Sequence, residues 1–185
     1  MFVCTICNAT LDSVIYHLAH TNIAWMHGTI DEPVMSGLAG RIDEINRLAE
    51  ESRGFVWRIP GSETSFKHLE LFRADFPGFD PERFFYNMSV WESLEDLREY
   101  TLFSAHAEMI YERRQWLDSI AGANVALWWI PAGYRPTLAE SAERLRHIRH
   151  FGPTPYAFTL RNSFPPATSA AGDRIRKPDS EKPGH

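Results

Sequence analysis

Hydrophobic and polar positions alternate most sharply at Phe84-Phe85-Tyr86-Asn87-Met88-Ser89-Val90-Trp91. Strand side chains point alternately to opposite faces. The stretch therefore predicts a strand with Phe84, Tyr86, Met88 and Val90 on one face and Phe85, Asn87, Ser89 and Trp91 on the other. The first set suits a packed core. The second mixes aromatic and polar groups, which neither a solvated sheet nor a doubly buried one would need. It suits the wall of a semi-polar, small-molecule cavity.

Further strands are predicted over 16–25, 55–59 and 125–130, with an edge strand over 156–160. Met35, Leu38, Ile42, Ile45 and Leu48 recur at helical spacing, and Gly54 ends that helix. Ser93 caps a helical region reaching about residue 120 and broken near Phe103. Thr137 and Glu140 form a capping box ahead of the apolar stripe Leu138, Ala142, Leu145 and Ile148, which Gly152-Pro153 stops. Residues 61–83 make an unusually long connection, read as a lid or rim.

The order β-α-β-β-α-β, then a further helix, predicts an α+β, ferredoxin-like fold with an antiparallel sheet and helices on one face. The other face needs a cover, and a second subunit is the usual one, so a homodimer is expected. Residues 1–14 read as a loosely attached leader and 15–166 as one domain. Residues 167–185, rich in Ser, Gly, Pro, Lys and Asp, read as a disordered tail.

Composition narrows the partners. The 185 residues suffice for one core, and 44% hydrophobic with 23% charged residues is ordinary for a globular chain. A net charge of −5 and the lack of a basic block argue against nucleic acid. No apolar run approaches the roughly 20 residues that span a bilayer, and the N-terminus lacks the charged start of a secretory signal. A cytoplasmic protein with no membrane partner is expected. Cys4 and Cys7 have C-x-x-C spacing but neither a redox context nor two further zinc ligands. No metal site is predicted.

His20 and Asn22 share a strand face with Leu18 and Ala24. If that face lines the cavity, they join Asn87 and Ser89 in one polar cluster; otherwise they are ordinary strand polarity. His106, with Met109, Ile110 and Arg113 on its side of a helix, could serve as acid, base or axial ligand, or be a satisfied buried histidine. Arg58 could bind a carboxylate or enolate, or snorkel from the sheet edge. Trp128 and Trp129 split faces, so one of them borders whatever covers the open side. His20 and His106 are the catalytic candidates. Asn22, Arg58, Asn87, Ser89, Trp91, Arg113 and Trp129 are the ligand-binding candidates. Neither a glycine-rich nucleotide motif nor a Gly-x-Ser-x-Gly elbow occurs.

Phe55-Val56-Trp57-Arg58, Asn87-Met88-Ser89-Val90-Trp91-Glu92-Ser93 and His106-Ala107-Glu108 form an ordered series. Leu127-Trp128-Trp129-Ile130-Pro131-Ala132-Gly133 and Gly152-Pro153-Thr154-Pro155 continue it. From about Tyr16 to Pro165 the chain resembles the domain of unknown function 3291 family. That resemblance implies the dimeric α/β-barrel superfamily, in which two ferredoxin-like subunits pack sheet to sheet around cavities. It also implies relatives that are cofactor-independent monooxygenases, isomerases, polyketide cyclases and haem-binding proteins. Two functions follow as expectations. One is a cofactor-free monooxygenase-like or isomerase/cyclase-like enzyme acting on an aromatic or polyketide-like compound. The other is a non-catalytic protein that binds haem, with His106 as axial ligand, or another small ligand. A structural dimer without ligand is the third possibility.

Overall fold

The run YHLAHTNIAWM forms strand β1 (Tyr16–Met26), the centre of the sheet. In this computed structural model, which describes residues 14–103 and 113–167, β1 is paired along both edges. β3 (Phe84–Trp91) runs antiparallel to it on one side. The two-residue β4 (Leu117–Asp118) and β5 (Val125–Pro131) share the other side, also antiparallel. β2 (Phe55–Arg58) pairs with the far edge of β3. The result is a mixed α+β fold built on a curled antiparallel sheet.

The strands expected over 16–25, 55–59, 84–91 and 125–130 form, and Thr137 and Ser93 cap helices as expected: their hydroxyls accept from Glu140 N at 3.2 Å and Asp96 N at 3.1 Å. The single helix expected after β1 is instead split. A 3-10 turn, α1 (Ser36–Ala39) and α2 (Ile42–Glu50) replace it. Gly37 and Gly40 weaken a continuous helix by roughly 1 kcal/mol each. A Cβ on Gly37 would also sit 2.7 Å from the Trp116 ring, so the turn is tuned to that contact. The helix after Ser93, α4 (Leu94–Phe103), leads to a 3-10 turn at Arg113–Gln115 and β4, not to helix through residue 120. The edge strand expected over 156–160 is reduced to two isolated bridges, Leu127 with Phe158 and Thr154 with Ala157.

One sheet face is the main core. It carries Ala19, Ile23, Met88, Val90, Trp128 and Ile130. The last helix, α5 (Leu138–Phe151), lays its stripe Ala142, Leu145 and Ile148 on this face. Residues 66–79 cover the rest, and here the lid expectation is corrected. Leu69, Phe72, Phe76 and Phe79 are buried. Phe72 lies 5.1 Å from the Phe84 ring, and Trp25 meets Phe76 edge-on at 5.9 Å. The short helix α3 (Phe66–Leu69) begins this segment, and Arg146 of α5 grips Asp75 at 2.6 Å. The segment is core, because four large apolar side chains gain more by burial than a mobile lid could recover.

The expectation of helices on one face alone is corrected too. Leu94, Leu97 and Tyr100 of α4 cluster with Leu18, Trp91 and Leu127 on the opposite face. Met35 and Leu38 cluster there with Met26 and Trp116. Each face thus has cover from within the chain, because the amphipathic elements outnumber those a one-sided plan can use.

Gly54 locks α4 to the sheet. Its φ of +71° is the left-handed region, and a Cβ there would sit 2.3 Å from Asp96 Oδ2. That carboxylate accepts the Ser93 hydroxyl at 2.5 Å and pairs with Arg53 at 2.9 Å.

Two outcomes test this packing. Phe72→Ala is expected to lower unfolding stability by about 3–5 kcal/mol in a denaturant titration; a value under 1 would return residues 66–79 to the status of a lid. Burial pushes the Tyr86 phenol, which bonds Ser141 Oγ at 2.7 Å, up to about 12 from 10.0. Its native state thus holds the proton more tightly than the unfolded chain, so Tyr86 contributes stability that is present below pH 10 and lost as pH rises towards 12. Tyr86→Phe should flatten that alkaline fall in denaturation curves recorded across this range.

Candidate functional site

The mixed face is ordered in cross-strand rungs, because directly paired residues point the same way. The first rung reads Trp129, Leu18, Trp91, Phe55 from β5 to β2. The second reads Leu127, His20, Ser89, Arg58. The third reads Val125, Asn22, Asn87. Ala24 opposite Phe85 makes the fourth. Two polar rungs therefore lie between apolar lobes, one around Trp91 and Tyr100 and the other around Met35 and Trp116.

A short hydrogen-bond chain crosses the first two rungs. Trp91 Nε1 donates to Ser89 Oγ at 2.9 Å, and Ser89 Oγ lies 3.3 Å from His20 Nδ1. An indole N–H can only donate. Ser89 Oγ keeps its own proton and one lone pair, so it can donate to His20 Nδ1 or accept from it. Either neutral tautomer of His20 satisfies the chain. Trp91 is wholly buried, Ser89 is 6% exposed and His20 9%. Trp91 is clasped between Tyr100, stacked at 4.9 Å, and Phe55, edge-on at 5.5 Å.

The third rung is more open. Asn87 Nδ2 donates to Asn22 Oδ1 at 3.1 Å, and both side chains are half-buried. Among the described residues nothing bonds Asn22 Nδ2 or Asn87 Oδ1. The pair therefore presents a donor and an acceptor side by side, which matches a ligand bearing a hydroxyl and a carbonyl. Arg58 ends the second rung, where Glu50 at the end of α2 holds its Nε at 2.7 Å.

The sheet thus brings His20, Asn22, Arg58, Asn87, Ser89, Trp91 and Trp129 onto one face. Trp91 reaches the site through Ser89, its ring being enclosed. Trp129 Nε1 donates to Phe164 O at 2.7 Å, tying the segment after α5 over the first rung. Arg113 is exposed in its 3-10 turn, and no contact among the described residues joins it to the rungs. His106, Cys4 and Cys7 lie outside the described residues. Among the described residues no three His, Cys, Asp or Glu side chains could share a metal ion. No helix there is long and apolar enough to cross a membrane. Sequence reasoning missed Glu50 and Tyr100. Glu50 meets Arg58 across a helix, a turn and a bulged strand, a path with no fixed spacing to read. Tyr100 was legible only as part of the α4 stripe with Leu97.

Comparison with known proteins gives one positive result. The profile of a family described as Domain of unknown function (DUF3291) matches residues 17–174. No curated protein and no solved structure matches the chain.

Ser89→Ala tests the hydrogen-bond chain. It strands the buried Trp91 N–H, so a loss of about 1–3 kcal/mol is expected in chemical denaturation. Nitrogen-15 NMR should show a His20 tautomer balance that differs between parent and variant. An unchanged His20 spectrum would break the chain at Ser89.

Proposed function

The chain belongs to the DUF3291 family, and on that premise we propose that it binds a small, partly aromatic molecule with oxygen substituents against the two polar rungs. The observation that carries this reading is the Asn22–Asn87 pair, which among the described residues leaves a donor and an acceptor unbonded one rung from a buried His20. The apolar lobes on either side supply walls for a planar body. Phenolic and polyketide-like compounds have the matching chemistry.

His20 is the acid–base group of this proposal. With Nδ1 turned to Ser89, proton transfer at this imidazole would run through Nε2. Removing a proton from a bound phenol or enolisable carbonyl would give an anion. Asn22 Nδ2 and the Arg58 guanidinium are the donors on the same face that would stabilise it. Such an anion then rearranges, as in an isomerase or cyclase, or reacts with dioxygen, as in a cofactor-independent monooxygenase.

A ferredoxin-like plan, with β2-β3-β1-β5 as its main strands, is part of the same proposal. The site of this proposal lies within one chain, so it does not depend on a twin-chain roof or on a homodimer.

Titration of phenolic and polyketide-like compounds, followed by tryptophan fluorescence and oxygen uptake, tests the proposal. Asn87→Ala is expected to weaken a bound compound about tenfold, near the 1.4 kcal/mol of one lost hydrogen bond. His20→Gln is expected to keep binding and abolish turnover. Turnover that survives His20→Gln would remove the acid–base role, and binding indifferent to Asn87→Ala would remove the site.

A further inference from the structure

A cavity of about 280 Å³ opens on the core side of the sheet, away from the polar rungs. Its apolar wall is Trp57 and Ile59, which follow one another on that face at the end of β2, with Leu138 from the start of α5. Its charged rim is Glu63, His68 and Arg135. All three charged or polar rim side chains are exposed, whereas Ile59 is buried and Trp57 partly so. The hollow therefore has a flat aromatic and aliphatic floor under a polar mouth.

The mouth carries both signs of charge, and they do not cancel. Arg135 lies over the Trp57 ring at 5.9 Å from its centroid, the outer limit of a cation–π contact. Among the described residues it has no carboxylate partner. Glu63 lines the same cavity and among the described residues has no cationic partner. Elsewhere on this surface arginines close onto nearby carboxylates, as Arg47 does on Glu51 and Arg73 on Glu70. Here an acid and a base face one small hollow and stay apart.

We propose that this cavity binds a small zwitterion with a flat apolar body, an aromatic α-amino acid in its chemistry. The ligand carboxylate meets Arg135, its ammonium meets Glu63, and its ring lies on Trp57. The volume sits at the small end of ligand pockets, which run from roughly 300 to 1,000 Å³, and so selects a single amino acid over a longer peptide. A simple anion would face Glu63, and a simple cation would face Arg135. Only a molecule carrying both charges satisfies both groups.

The test uses the full chain and three probes of similar shape: L-phenylalanine, phenylacetate and phenethylamine. Binding is followed by NMR at the Trp57 indole N–H, assigned with Trp57→Phe. Saturable shifts with L-phenylalanine, at least fivefold tighter than with either singly charged probe, are expected. Arg135→Gln and Glu63→Gln should each weaken L-phenylalanine about fivefold, as a partly exposed ion pair does. Glu63→Gln should leave phenylacetate equal or tighter. The proposal is overturned if L-phenylalanine gives no saturable shift at Trp57, if the three probes bind alike, or if both variants bind like the parent. None of these residues belongs to the polar rungs, so failure here leaves the proposed function standing, and the converse holds.

Discussion

The pairing of His20 with Ser89 across β1 and β3 sets every other feature of the candidate site. β1 has partners along both edges, so its register is fixed twice over, by β3 and by β5. A slip of one residue would turn His20 and Asn22 to the core face and bring Ala19, Thr21 and Ile23 into their place. That slip is opposed by the core itself. Ala19 and Ile23 would have to leave a packed interior, at about 1.5–3 kcal/mol for a large side chain such as Ile23. The precision of the polar rungs is thus a by-product of apolar packing on the reverse side.

Cover from within the chain changes how the fold should be understood. A five-stranded curled sheet with bare core-side strands would need a second molecule. Residues 66–79 and α5 do that work here, with Phe72, Phe76 and Phe79 against Phe84 and the Arg146–Asp75 pair joining the two covering elements. The mixed face is covered unevenly, since its two apolar clusters sit at either end of the rungs. That unevenness concentrates the partly exposed polar atoms at Asn22 and Asn87.

Strands were legible because their period of two is short and survives irregular context. Residues 84–91 and 125–131 alternate or run apolar without interruption, and both fold as read. Helix ends were legible at Thr137 and Gly152, where a cap or a positive φ leaves a residue-level mark. Residues 66–79 were misread because Pro77-Gly78 and Asp80-Pro81 look like loop punctuation. Yet Leu69, Phe72, Phe76 and Phe79 fall at intervals of three, four and three, a core signature hidden within turns of 3-10 type. The split of the first helix was foreshadowed by Gly37 and Gly40. The cavity at Trp57 could not be read at all, since Glu63, His68 and Arg135 are joined only by the path of the chain. For the polar face, the share of side chains on each side followed from alternation alone. Their hydrogen bonds needed the register.

The two faces of the same strands bury their polar groups in different company. On the core face the rungs read Ala19 with Val90 and Trp128, then Thr21 with Met88 and Ala126. These rungs are fully buried, and their two side-chain donors, Thr21 Oγ1 and Trp128 Nε1, reach Asn87 O at 2.9 Å and Glu140 Oε1 at 2.8 Å. One position over, on the reverse side, the chain buries a hydroxyl, an imidazole and an indole N–H that must satisfy one another. A buried polar group left without a partner costs about 1–3 kcal/mol, so each of these groups needs its neighbour in place. Trp91 shows the cost most plainly. Its ring would pack between Tyr100 and Phe55 equally well as an apolar surface, but its N–H obliges Ser89 to be present. Ser89 in turn lies 3.3 Å from His20 Nδ1, so its hydroxyl links the indole to the imidazole. His20 sits one rung from the Asn22–Asn87 pair, so an indole, a hydroxyl, an imidazole and two amides form one polar strip across β1 and β3.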